Sequence, residues 1–176
     1  MNIADEIIET LKFVIPALLV FVTAYLILKR FLENERKKMM MEMRRENFKM
    51  ITPVRLQAYE RVILYLERIG MDNLIRRVNK AGMGADELQM ELIKAIRSEY
   101  DHNLSQQLYM SNNAWNTVRA VKEEMIKLIH TAAAEMRSGS SSIDLSKLIL
   151  SMVSSLEKPP NQVAIEILKK EIRQLF

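Results

Sequence analysis

The chain contains no cysteine. That excludes disulfide stapling and thiolate metal sites, and nothing requires an oxidising compartment. Histidine is nearly as scarce, with only His102 and His130. A zinc site made of protein ligands would need several carboxylates beside them, so no metal and no cofactor are expected. Glycine and proline number four each in 176 residues. So few turn formers exclude many-turned β architectures and point to long helices. No apolar–polar alternation stands between turn signals, so no strand is expected, and no internal repeat is evident. A nucleophile–base pair, a phosphate loop and a metal cluster are all missing, so no catalytic residue is assigned and the chain reads as a non-enzyme.

What is present is apolar residue, 49% of the chain, and one run of it without charge. Phe13–Leu28 reads FVIPALLVFVTAYLIL. As a helix these sixteen residues cover roughly 24 Å, short of a hydrocarbon core of about 30 Å. Lys12 and Lys29 bracket the run and can snorkel, and Ile7, Ile8, Leu11, Phe31 and Leu32 extend it to a usable span of about 20–25 residues. Pro16 lies in its first turn, where a missing donor costs least, and Tyr25 suits the interface. Val22-Thr23-Ala24 fits a small-residue cleavage pattern, but Asp5, Glu6 and Glu9 give the preceding segment the wrong sign for a signal peptide. The run has no polar face, unlike a soluble core helix.

Basic residues set the orientation. Lys12 alone precedes the span, whereas residues 29–49 hold Lys29, Arg30, Arg36, Lys37, Lys38, Arg44, Arg45 and Lys49. Positive flanks stay in the cytoplasm. The expectation is a single-pass protein of the bacterial inner membrane, amino terminus outside, carboxyl-terminal domain inside. The basic cluster is a topology signal that can also meet anionic headgroups. Nucleic acid is not expected as a partner, because Glu33, Glu35, Glu42 and Glu46 interleave with the charges and no aromatic series accompanies them.

The fold expected is all-α: one transmembrane helix continuing into a charged stalk, then a compact bundle of about five helices. The divisions are 1–32 for the periplasmic tip and span, 33–51 for the basic juxtamembrane stalk, and 52–176 for the cytoplasmic bundle. On the stalk, Leu32, Met39, Met43 and Met50 form a thin apolar stripe compatible with weak self-association. Thr52-Pro53 reads as a new start, with Thr as N-cap and Pro at the first helical position. The helix over 53–69 presents Leu56, Tyr59, Val62, Ile63, Leu66 and Ile69, and Gly70 ends it. A short helix follows over 72–78, then a loop. Asp86 is the expected cap of a helix over 87–110, in which Leu88, Leu92, Ile96 and Tyr100 recur by fours. Ser111 caps a helix over 112–136, with Met110 and Trp115 as a hydrophobic staple and Val118, Val121, Met125, Leu128 and Ala132 as its seam. Residues 137–142 form a loop. Leu145, Leu148, Met152 and Leu156 mark the next helix, closed by Pro159-Pro160. Asn161 caps the last, with Val163, Ile167, Leu168, Ile172 and Leu175 as its apolar face.

EYDHNLSQQLYM, residues 99–110, is the densest polar stretch. On a regular helix His102, Gln106 and Tyr109 share one face, Asn103, Gln107 and Met110 the next. The line by fours carries Leu104 and Leu108 into the core, leaving the polar set at its margin. Asp101 and Ser105 project away from His102, so no catalytic triad follows. The stretch is either a hydrogen-bonding seam or a contact surface. Arg55, Tyr59, Arg61, His102, Asn103, Gln106, Gln107 and Tyr109 are the candidates for it. His130 is a packed or boundary histidine.

ITPVRLQAYERVILYLERI (51–69) and EYDHNLSQQLYMSNNAW (99–115) resemble the signature stretches of an uncharacterised family of small bacterial proteins. The resemblance implies one amino-terminal membrane helix, a charged stalk and a helical cytoplasmic domain, and it carries no activity. The function expected is a membrane-anchored interaction or scaffolding module, whose partners are the lipid bilayer and a protein the sequence does not name; homo-oligomerisation is left open. The alternative is a stalk- or stator-like coiled-coil subunit, similar in layout to the peripheral-stalk b subunit of rotary ATP synthases. Early breaks at Thr52-Pro53 and Gly70 count against it.

Overall fold

The computed structural model describes residues 3–175, with the side chains of residues 3–6, 8, 10 and 175 left aside. The expectations for the outer tip, for Asp5, Glu6 and Ile8, and for Leu175 on the last apolar face lie outside the described residues. Six α-helices and one 3₁₀ turn make up the described chain: α1 Ile3–Arg68, α2 Met71–Val78, α3 Ala85–Asn103, the 3₁₀ turn Leu104–Leu108, α4 Asn112–Ala134, α5 Ser142–Ser154 and α6 Pro160–Leu175. No strand occurs among the described residues. The contacts divide the chain into two units between Ile51 and Thr52.

The first unit is helix alone, and its described side chains are exposed. The expected start at Thr52-Pro53 is not there: α1 runs through both residues to Arg68. Pro53 forfeits one backbone hydrogen bond, but it is exposed, as is Lys49 one turn earlier. The carbonyl left over can therefore face water. Strong helix formers on both sides carry the helix across. Pro16 is likewise inside α1.

The second unit packs the end of α1 with α2–α6. α3 packs on α4 and α5, α4 on α5 and α6, and α2 on α3 and α5. The core of this unit takes Tyr59, Val62, Tyr65, Leu66 and Ile69 from α1, Leu88, Leu92 and Ile96 from α3, Val118, Met125 and Ile129 from α4, Leu145 and Ile149 from α5, and Ala164 and Leu168 from α6. Each fully buried aliphatic side chain contributes about 1.5–3 kcal/mol. Four expected faces differ slightly. Leu56 is exposed while Ala58 and Tyr65 are buried; Leu128 is half-buried while Ile126 and Ile129 are inside. Leu156 lies past the end of α5 and is exposed; Val163 and Ile167 are exposed while Ala164 and Ile165 are buried. Leu156 is exposed because α5 has ended; on the other three helices the expected stripe lay along one edge of the apolar arc rather than its centre.

The helix starts show how the bundle is stitched. Asp86 is not the cap of α3. Gly84 is the cap position, because it pairs with Ser141 in an antiparallel bridge. The bridge gives the Ala85 N–H to the Ser140 carbonyl at 3.0 Å and the Ser142 N–H to the Met83 carbonyl at 3.1 Å. The neighbouring loop thus satisfies an orphan donor and starts α3 early. Each loop turns on a glycine with φ of +83°, Gly82 and Gly139, at the third position of a turn closed by Met83 N–H on the Lys80 carbonyl and Ser140 N–H on the Arg137 carbonyl. Only glycine adopts that conformation without penalty. α2–turn–α3 and α4–turn–α5 are therefore built alike, although their turn sequences share only the glycine. Ser141 caps α5 in a capping box with Asp144, and the hydrogen bonds from Ser141 hold the Asp144 carboxyl below the ordinary aspartate range. Ser111 caps α4 as expected, accepting from the Ala114 N–H at 3.0 Å. Both Met110 and Trp115 are buried.

Asn161 does not cap α6. Pro160 opens that helix, with the Pro159 carbonyl accepting from the N–H groups of Gln162 and Val163. Asn161 is buried and donates from Nδ2 to the Leu66 carbonyl at 3.2 Å. It ties the start of α6 to the end of α1. A Cβ on Gly70 would come within 2.9 Å of that Nδ2, so a side chain at position 70 would push the Asn161 amide off its bond.

Candidate functional site

Three features of the described chain bear on function. The first is the apolar run of α1. Phe13, Leu18, Leu19, Val20, Phe21, Ile27 and Leu28 are all at least half exposed, and this is the one helix among the described residues long and apolar enough to cross a membrane. Its one hydroxyl between Phe13 and Ala24, on Thr23, donates to the Leu19 carbonyl one turn back. A hydroxyl satisfied by its own helix suits a medium without water. Lys29, Arg30, Arg36, Lys37, Lys38, Arg44, Arg45 and Lys49 are exposed on the continuation of the same helix, Lys38 lying 3.4 Å from Glu35.

The second feature is the polar seam. α3 ends at Asn103 and the chain tightens into the 3₁₀ turn Leu104–Leu108. Three residues per turn replace 3.6, so the line by fours no longer follows one face. The outcome reverses the expectation for the leucines: Leu104 is 42% and Leu108 78% exposed, while Asn103 and Gln106 are buried at 9% and 8%. Nor do His102, Gln106 and Tyr109 share a face, since His102 and Tyr109 are exposed. Asn103 Nδ2 donates to the Glu99 carbonyl at 2.8 Å, and Gln106 Nε2 to Ser105 Oγ at 3.2 Å. Gln107 is exposed.

The two stretches quoted from the sequence meet here. Arg55 Nε donates to the Tyr109 carbonyl at 3.1 Å. Tyr59 is fully buried; its hydroxyl donates to Glu171 Oε1 at 2.6 Å and lies 3.4 Å from the Ser111 N–H that it accepts. Burial, then the Glu171 carboxylate, raises the Tyr59 hydroxyl above its ordinary pKa. Tyr65 meets Tyr100 edge-on with ring centres 6.2 Å apart, and Tyr100 lies 5.5 Å from Trp115. Arg55, Tyr59 and the 109–111 backbone thus close the α3–α4 corner onto α1.

The third feature is a cleft of about 370 Å³ walled by Arg61, Leu64, Tyr65 and Arg68 of α1 and by Glu99, His102 and Asn103 of α3. Spacings of three, one and three on α1, and of three and one on α3, put each set on one helical face. The contacts 68–99, 65–100 and 55–109 run in opposite senses along the two segments, which sets Arg61 opposite His102 and Asn103. One oxygen, Glu99 Oε1, takes both Arg68 Nη2 at 2.9 Å and Arg77 Nη1 at 3.1 Å. Arg61 has no hydrogen-bond or ion-pair partner among the described residues. His102 Nδ1 lies 2.7 Å from the Ser98 carbonyl; a carbonyl only accepts, so Nδ1 carries the proton and Nε2 is the nitrogen left over. The Tyr65 hydroxyl is buried without a partner.

A family model described as a family of unknown function (DUF7935) matches residues 5–175. The chain belongs to this family. No curated protein and no solved structure matches it. Membership of DUF7935 therefore spans every element described above, the apolar run as well as the bundle, and brings no activity with it.

Of the residues singled out from sequence, the structure gathers Arg55 and Tyr59 with the Tyr109 backbone, and Arg61 with His102 and Asn103; Gln106 is interior and Gln107 is not. His130 is exposed, with Nδ1 2.9 Å from Gln89 Nε2. Sequence reasoning missed Arg68, Arg77, Glu99 and Glu171. No local pattern pairs positions 31 or 112 residues apart. The Tyr59–Glu171 contact in particular depends on where α6 docks.

Proposed function

We propose that this chain is a membrane-anchored helical module, held by α1 in the bacterial cytoplasmic membrane with its amino terminus outside, and that the bundle from Thr52 onward meets a protein partner at the inner face. The observation that supports it is an apolar helical run with no burial in the bundle. Water is a poor solvent for so much exposed hydrocarbon, and lipid is the solvent that suits it. The excess of basic residues after the run supports the orientation. Lys49 lies about 30 Å along a helix from Lys29, about three Debye lengths at 0.1 M salt. Lys29, Arg30, Arg36, Lys37 and Lys38 are then the charges near the headgroups, if α1 leaves along the bilayer normal. Arg44, Arg45 and Lys49 reach further into solvent.

The test exploits the absence of cysteine. Full-length protein should sediment with membranes and resist alkaline carbonate. Single-cysteine variants Glu9→Cys and Ser138→Cys should differ in intact spheroplasts: a membrane-impermeant maleimide labels the first only, and both after permeabilisation. Extraction by carbonate, or labelling of Ser138→Cys in intact spheroplasts, overturns the reading.

The course of α1 through Thr52-Pro53 favours a second reading, a stalk-like homo-oligomer, because one of the two breaks that count against it is absent, although the helix still ends at Arg68 before Gly70. Leu32, Met39, Met43 and Met50 are its stripe, all at least half exposed. Oxidative crosslinking of Met43→Cys in membranes should give a covalent dimer if this holds, and monomer only if it does not.

A further inference from the structure

We propose that the cleft between α1 and α3 is a binding site for a small oxyanion of the phosphate-monoester class, with Arg61 as its principal ligand. The charge balance points there. Arg68 and Arg77 both take one oxygen of Glu99, while Arg61 beside them has no partner among the described residues. The charged side chains of the lining, Arg61, Arg68 and Glu99, leave an excess of one positive charge, and Arg77 from outside the lining offsets Glu99 a second time, so the cleft suits an anion. A guanidinium offers a planar fork of donors suited to phosphate oxygens, and the Arg61 fork has no other partner among the described residues. His102 brings Nε2, since Nδ1 is committed to Ser98. Tyr65 also lines the cleft; its hydroxyl, buried behind the wall, has no partner, an exception to the rule that buried polar groups are paired. A volume of about 370 Å³ falls within the range of small-molecule pockets, roughly 300–1,000 Å³.

The other hollows lack this combination. The groove lined by Met90, Lys94, Arg97, Asp101, His102 and His130 has Lys94 paired with Glu91 and carries a carboxylate of its own, Asp101. The hollow at the two glycine turns is lined by loop backbone already bonded across the Gly84–Ser141 bridge.

The cleft lies wholly within the second unit, so the proposal stands apart from the membrane reading. The experiment uses the full chain in a neutral maltoside detergent. Inorganic phosphate is titrated against thermal unfolding and calorimetric heat, with potassium chloride at matched ionic strength as the control. Phosphate should raise the melting temperature more than chloride does and bind one to one. Arg61→Gln should weaken binding at least tenfold and leave the ligand-free melting temperature unchanged, because Arg61 is exposed and unpartnered. Arg76→Gln, an exposed arginine off the cleft, should bind as the native chain does. A response no larger than that of chloride overturns the proposal, as does undiminished binding by Arg61→Gln or equal weakening by Arg76→Gln. Reconstitution in phosphatidylcholine vesicles with and without phosphatidic acid identifies the source. If phosphatidic acid abolishes phosphate binding, the site takes a lipid headgroup; if phosphate binds equally in both, it takes a soluble phosphate compound.

Discussion

Two tyrosines on α1, six residues apart, make opposite demands on their surroundings. The Tyr59 hydroxyl is held by Glu171 and Ser111; that of Tyr65 is held by nothing. Tyr59→Phe should lower the unfolding free energy by about 1.5–3 kcal/mol, the net worth of a hydrogen bond to a charged group. Tyr65→Phe should cost nothing or stabilise slightly, since it removes a buried group that folding strips of water without replacement. Chemical unfolding of the two variants checks both signs. Burial raises both hydroxyls above the ordinary tyrosine pKa. The folded chain then keeps protons that the unfolded chain gives up, so the stabilising effect is complete below about pH 10 and is lost as pH rises beyond it. The slope should approach about 1.4 kcal/mol per pH unit for each tyrosine, and each phenylalanine variant should remove its own share. Gly70 tests a different constraint. Gly70→Ala places a methyl against Asn161 Nδ2 and strips the Leu66 carbonyl of its partner. The cost should be about 1–3 kcal/mol, read as a lower melting temperature. Asn161→Ala, which loses the same bond without the clash, should be no more damaging.

At the scale of the element, the 3₁₀ turn after Asn103 decides which residues of the 99–110 stretch are interior. Leu108→Gln should change stability by no more than about 0.5 kcal/mol, as surface substitutions do. Leu92→Ala, on the regular part of the same line and fully buried, should cost about 2–5 kcal/mol. Equal losses at the two positions would mean that α3 continues as an α-helix. The same turn shows how far sequence carries. The caps at Ser111 and the end of α1 near Gly70 were legible, because they depend on one side chain or its absence. The regular faces were legible to within one residue of arc. The switch from 3.6 to 3.0 residues per turn was not, since it follows from how the α3–α4 corner packs on Arg55 and Tyr59. Gly84 as the start of α3 was hidden for a like reason: its cap is a backbone bridge to Ser141, a residue in another loop. Thr52-Pro53 misled in the opposite direction. Its composition is that of a helix start, and nothing local shows that the helix is already running. The cleft was half legible, with Arg61, His102 and Asn103 singled out and Arg68 and Glu99 not.

For the molecule as a whole, orientation in a bilayer depends on a difference between two flanks, and that difference is open to measurement. One basic residue precedes the apolar run and eight follow within 29–49. Only charges within about 15–20 residues of a span's end bias its insertion, which includes Lys29, Arg30, Arg36, Lys37, Lys38 and the Arg44-Arg45 pair. Replacing the first five with glutamine leaves three basic residues after the span against one before it. The bias should weaken enough for a mixed population, in which an impermeant maleimide labels some Ser138→Cys in intact spheroplasts. Adding lysines at Asn2 and Glu9 to that variant should move the population further toward the inverted form. Replacing Arg44, Arg45 and Lys49 alone should leave orientation intact, because the five nearer charges remain. If neutralising the five nearer charges leaves the labelling wholly unchanged, orientation is set by the folded bulk of the bundle rather than by charge, and the basic residues of α1 need another explanation.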